Sequence, residues 1–227
     1  MKLDVFPDID VHLRKSAQAR QFTLRVSSLD GKVSLTTPLF VNTHQINAFL
    51  KEKEPWLRKR RSEVQTSVEV TFGTVLPVMG RDILVERHAG RGVTLSANKI
   101  HVPDKSRTPA VQVAVFLKQY ASRLLSIKAT HYAKKLGVSY SKLSLKDARS
   151  RWGSCSDRGA LMFSWRLVMA PPEVLDYVAA HEVAHLRHMD HSDRFWTEVE
   201  HLFGNYKKQK RWLQENGSKL HRYQFSN

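Results

Sequence analysis

The stretch HEVAHLRHMDHSDRFW, residues 181–196, carries four histidines, a glutamate and a tryptophan. It constrains the chain more than any other segment. On a helix, His181 and His185 project from one face about 6 Å apart along the axis, within reach of a single ion. Glu182 follows the first histidine, so its carboxylate falls beside such an ion and not on it. The flanking Val178, Ala179, Val183, Ala184 and Leu186 make this helix mostly apolar and hence buried. Two imidazoles and a carboxylate in a buried helix need compensation, which a bound metal supplies.

A catalytic zinc takes three protein ligands and one water, so a third ligand is required. His188 lies about 10 Å along the axis from His181, too far for a straight helix to bring both to one ion. In MDHSDR the helix ends and a new one starts, with Ser192 or Asp190 as its cap, and a turn there returns His191 toward the metal. His191 is therefore preferred, with His201, Glu198 and Glu200 as distal alternatives. A zinc at this site would activate water, with Glu182 accepting its proton as general base. Tyr177, one helical turn before His181, is a candidate for stabilising the oxyanion. Arg149 and Arg151, beside Trp152, are candidates for contacting substrate carboxylate or phosphate.

The rest of the chain reads as α+β. Residues 9–41 alternate apolar and polar positions around a hairpin turn at SSLDGKV. A helix follows from Thr43, with Thr43 as cap and Pro55 starting or kinking its second half. Residues 68–103 return to short strands separated by glycine-containing turns. A long helix is expected over 108–136, closed by Gly137. Strands at 141–147 and 160–167 flank the turn ARSRWGSCSDRG. Pro171 and Pro172 then open the histidine-bearing helix, which extends to Met189. These elements divide into a β-rich region, 1–106, with one helix, and a second domain, 107–227. In the second, a small antiparallel sheet backs the H-E-x-x-H helix.

Lys and Arg outnumber Asp and Glu by 37 to 21, a net charge of +16. The basic runs KEKEPWLRKRR and YKKQKRW admit nucleotide or nucleic acid as partners beside a peptide or protein substrate. No apolar run is long enough to span a bilayer, and MKLDVFPDIDVHL does not read as a signal peptide. The single cysteine, Cys155, excludes an internal disulfide and fits a reducing compartment, so the expected location is cytoplasmic. The sequence carries no signal for oligomeric state.

The segments ARSRWGSCSDRGALMFSWRLVMAPPEVLDYVAAHEVAHL, HSDRFW and FLKEKEPWLRKR resemble the YgjP-like family of zinc metallopeptidases. That family is related in pattern to the SprT and WLM zincin-like groups. The resemblance is strong over 143–215 and looser but collinear from 20 to 142. It implies a zincin-like fold over 107–227 and one Zn2+ per chain, held by His181, His185 and His191, with Glu182 as catalytic acid/base. Ni2+ or Co2+ could replace zinc on such ligands. The three histidines share the spacing of metzincins. His188, however, stands where those enzymes place a glycine, and no Met-turn follows, so that assignment is rejected. The expected function is a metallopeptidase. A metal-dependent phosphoanhydride hydrolase and a nucleic-acid-associated protein with a protease-like domain are the alternatives.

Overall fold

The computed structural model describes residues 6, 8–27, 30–62 and 66–226. The chain divides into two compact units, 1–67 and 68–227. In the first, strands β1 (Val11–Lys15), β2 (Thr23–Val26) and β3 (Val33–Thr37) form a sheet in the order β1-β3-β2. The β2–β3 pair is the expected antiparallel hairpin. Residues 28 and 29 of its turn lie outside the described residues. Helix α1 (Thr43–Ser62) runs through Pro55 as a single element. Its start is capped by Asn42, not Thr43. The Asn42 side chain accepts the Gln45 N–H at 2.9 Å, and the Gln45 side chain accepts the Asn42 N–H at 3.1 Å. Val11, Val33, Leu35, Ile46, Leu50 and Leu57 form this unit's own core. Trp56 stays 41 % exposed, and Leu57 takes the buried position beside it.

The second unit opens with β4 (Val68–Glu69). Strands β5 (Val75–Val78), β6 (Arg81–His88), β7 (Thr94–Ser96) and β8 (Lys99–Pro103) follow, in the sheet order β5-β6-β8-β7. Helix α2 (Pro109–Leu136) ends where Gly137 takes the left-handed conformation, φ 72°. Its buried residues, Ala110, Val113, Ala114, Leu117, Ala121 and Leu125 among them, recur with the helical period and line one face. Leu76, Val78, Ile83, Val85, Ile100 and Val102 of the four-stranded sheet share one core with that face. The boundary expected at 106/107 thus falls inside this unit, between β8 and α2. Shared apolar burial joins the elements on either side of it.

Strands β9 (Lys142–Lys146), β10 (Gly153–Cys155) and β11 (Ala160–Ser164) form a sheet in the order β10-β11-β9. Two features differ from expectation. The turn holding RWGSC contains β10, which pairs antiparallel with β11. And β9 runs parallel to β11, so the sheet is mixed and only its β10 side antiparallel. The connection 147–159 is long enough to allow a parallel return, and it lays β10 along the free side of β11.

After a 3-10 turn, Trp165–Met169, helix α3 spans Pro172–Ala184. It ends five residues before Met189. The Leu186 and Arg187 N–H groups donate to the Val183 and Ala184 carbonyls at 3.0 and 3.1 Å, tightening the chain into a turn. Helix α4 (Asp193–Phe203) then starts, with Ser192 in the cap position. The Asp190 carboxylate accepts the Ser192 N–H at 3.1 Å. Helix α5 (Lys207–Asn216), a 3-10 segment Gly217–Arg222 and β12 (Tyr223–Gln224), parallel to β4, complete the unit. Side chains lock these helices together. Asp176 of α3 accepts from Lys128 at 2.7 Å and from Tyr132 at 2.9 Å, both on α2. Arg187 donates to Glu198 of α4 at 2.9 Å and to the Leu136 carbonyl. Among the described residues no helix is long and apolar enough to cross a membrane.

Candidate metal centre

His181 lies in the last turn of α3, and His185 is the residue that caps it. The turn that follows returns the chain, and His191 reaches back just before α4. The three imidazoles offer nitrogen atoms within 4.8 Å of one another, and His181 Nε2 stands 3.4 Å from His191 Nε2. Two nitrogens bound to one tetrahedral zinc at their usual bond length stand about 3.3 Å apart, so this spacing is that of a ligand pair. His185 Nδ1 lies 2.9 Å from the His188 carbonyl oxygen. A carbonyl only accepts, so Nδ1 carries the proton and Nε2 keeps its lone pair free for an ion. His188 thus serves through its backbone, and its imidazole is not in the cluster.

Helix α4 supplies the floor. Phe195 is fully buried, and its ring centroid lies 4.9, 4.3 and 4.9 Å from those of His181, His185 and His191. Trp196 flanks His181 and His191 at 5.6 and 5.7 Å. The expectations above assigned no role to this pair. Its signal is the FW step directly after HSDR, which places two aromatics in the first turn of the next helix.

Burial and the neighbouring His185 and His191 push the His181 pKa down to about 3. Burial also holds His185 below its ordinary value, against the pull of the His188 carbonyl. At neutral pH both imidazoles are therefore neutral and present lone pairs, as metal ligands must. Glu182 is 5 % exposed, and burial pushes its pKa up to about 8, opposed by the charge of Arg151. The donor set of three imidazole nitrogens beside a buried carboxylate fits a divalent transition-metal ion.

The cluster opens into a cavity of about 430 Å3, lined by Ser150, Arg151, Gly153, Ser154, Cys155, His181, Glu182, His185, Met189 and His191. Arg151 is thus brought to the site. Arg149 does not line the cavity, and its charge acts instead on His221. Tyr177 is buried and also does not line it. Its ring stacks on Tyr206 at 5.9 Å and edges against His181 at 5.8 Å. Cys155 lines the cavity as a thiol, its pKa pushed up to about 11 by burial and by Glu182.

A model of the YgjP-like metallopeptidase domain matches residues 20–216. No curated protein matches the chain. Two solved structures are similar to parts of it. The metallopeptidase zymogen of Pyrococcus abyssi abylysin has 23% identity and a TM-score of 0.37, covering 44% of this chain and 97% of that one. The metallopeptidase zymogen of Methanocaldococcus jannaschii jannalysin has 18% identity and a TM-score of 0.36, covering 42% and 96%. The family match takes in the His181–His185–His191 cluster and most of the sequence on either side, and the chain belongs to the YgjP-like metallopeptidase family.

Proposed function

We propose that the chain is a zinc-dependent metallopeptidase in which His181, His185 and His191 hold the ion and Glu182 is the general base. Residues 107–227 would carry this machinery. Bound there, zinc supplies Lewis acidity, lowering the pKa of water and polarising a carbonyl. Glu182, whose ionised form the positive charge of Arg151 and of a bound ion would favour against burial, accepts a proton on its carboxylate and returns it to the leaving amine. Phe195 and Trp196 keep the imidazoles in place and exclude water behind them. Arg151, the one arginine among the described residues lining the cavity, is the candidate to pair with a substrate carboxylate.

One observation carries the peptide reading. Gly153–Cys155 line the cavity and form the edge strand of their sheet. An edge strand has unpaired backbone groups onto which an extended peptide can add. A phosphoanhydride substrate calls for a ring of cations, and among the lining residues Arg151 is the only Lys or Arg. The lone Cys155, free and half-buried, fits a reducing, cytoplasmic setting.

The test incubates zinc-loaded wild type and Glu182→Gln with a pool of peptides and nucleoside triphosphates, reading products by mass spectrometry. Peptide cleavage by wild type alone is expected. Nucleotide products in place of peptide products would overturn the peptidase reading, and equal cleavage by both proteins would remove Glu182 as base.

A further inference from the structure

Gly153 has no positive φ, so backbone conformation does not require a glycine there. Space does. A Cβ built on Gly153 would overlap Glu182 Oε1 and stand 2.5 Å from its Cγ and 2.6 Å from its Cδ. Carbon atoms in contact normally keep about 3.5–4.0 Å. The carboxylate arm of Glu182 therefore lies directly across the bare Cα of β10.

The backbone of neither partner is free to withdraw, so the added methyl would displace the Glu182 carboxylate arm. Glu182 belongs to α3, where Ala179, Ala180 and Val183 are fully buried on the adjoining positions. Gly153 pairs with Phe163 of β11, itself fully buried, and the Ser164 N–H donates to the Trp152 carbonyl at 2.8 Å. Behind the strand, the Trp152 ring presses on Gly217, where a Cβ would meet Trp152 Cζ2 at 2.9 Å. The same ring lies 5.4 Å from that of His221. The segment bearing Gly217 and His221 is fastened in turn by the buried Arg166. Its guanidinium donates to the Leu220 and Tyr223 carbonyls at 3.0 Å each and to Asp147 at 2.7 and 3.1 Å.

We infer that Gly153 is a positioning residue. Its bare Cα is the seat on which the Glu182 carboxylate is set, and the C-terminal segment Gly217–Arg222 holds that seat through Trp152. This rests on Glu182 being the base and adds what determines where its carboxylate stands. Two glycines of separate elements thus serve one carboxylate. Gly153 receives Glu182, and Gly217 receives the tryptophan that backs Gly153.

The experiment introduces Gly153→Ala into wild type and into Glu182→Ala, and reads thermal unfolding, zinc affinity and cleavage of the peptide pool. In wild type, Gly153→Ala is expected to lower Tm by about 3–9 °C through overpacking. In the Glu182→Ala background, with nothing to displace, Tm should stay within about 1 °C. Zinc affinity should hold within about threefold in all four proteins, because the ligand imidazoles are not displaced. Cleavage by Gly153→Ala should fall about 100-fold, the cost of a carboxylate misplaced by about 1 Å. Gly217→Ala, pushing on Trp152 from behind, should lower the rate about tenfold with zinc affinity unchanged. An equal Tm loss in both backgrounds overturns the proposal, since the glycine would then serve the strand alone. An unchanged rate in Gly153→Ala overturns it too, and an unchanged rate in Gly217→Ala removes the C-terminal segment from it. If wild type cleaves no peptide, the base reading of Glu182 falls, and the Tm coupling still decides whether Gly153 seats that side chain.

Discussion

Phe195 touches all three candidate ligands at once, which makes it the residue where packing and metal binding meet. Truncating a fully buried phenylalanine leaves a cavity that costs about 3–5 kcal/mol. Phe195→Ala should therefore lower the midpoint of denaturant unfolding, and it should weaken zinc as well, since the imidazoles lose the surface that orients them. Phe195→Leu should recover most of the stability but only part of the zinc affinity. Equal zinc affinity across all three proteins, measured by competition with a chelator, would show the ring to be packing alone. At the ligands themselves, His185→Ala should weaken zinc by more than the roughly 10–100-fold that a lost outer partner costs. Stoichiometric zinc retained after dialysis of His185→Ala would rule that histidine out.

Among the elements, the C-terminal 3-10 segment carries a dependence on pH that lies outside the histidine cluster. His221 is 6 % exposed, and its pKa is pushed down to about 4. Burial is the main cause; the positive charges of Arg166 and Arg149 add to it, and Asp147 opposes them. The unfolded chain binds this proton from the ordinary histidine value of 6.5 downward, whereas the folded chain resists until about pH 4. Folding stability should thus fall as pH drops from 6.5 to 4, by a few kcal/mol, about 1.4 for each pKa unit. Asp147 acts later. Burial tends to raise its pKa, but the hydrogen bonds and charge of Arg166 outweigh that and hold it below 3.8, so its contribution is lost only under stronger acid. Denaturant unfolding at pH 7 and pH 4.5 should show this loss in wild type and a smaller one in His221→Gln. An identical loss in both would place the acid sensitivity elsewhere.

For the molecule as a whole, the division at 67/68 separates two cores, Phe6 to Leu57 in one and Val70 to Leu220 in the other. All three candidate ligands, the proposed base and every described residue lining their cavity belong to 68–227. A fragment of residues 68–227 should therefore unfold cooperatively and bind one zinc per chain, read by calorimetry and by metal content. A fragment starting at 107 lacks Leu76, Ile83, Val85 and Ile100, which fill the same core as α2, and should aggregate or unfold without cooperativity.

His181 and His185 were legible together because their spacing is a local property: four residues along a helix bring two side chains to one face wherever that helix packs. The same holds for the α2 stripe from Ala110 to Leu136 and for Gly137 at its end, both written in short-range periodicity and turn chemistry. Glu182 beside the first candidate ligand follows from the same geometry. Beyond that reach, contacts depend on elements far apart in sequence, and no short-range pattern records them. The shortening of α3 at Ala184 and the return of His191 belong to the turn in which the His185 ring meets the His188 carbonyl. That GSC is a strand is decided by pairing with β11, since three residues carry too little periodicity to announce it. The sequence by itself determined that His181, Glu182 and His185 stand together, because they are neighbours along one helix and its cap. Only the tertiary structure decided how the carboxylate is seated, because Gly153, Trp152, Gly217 and Arg166 meet through packing that long loops of chain must close.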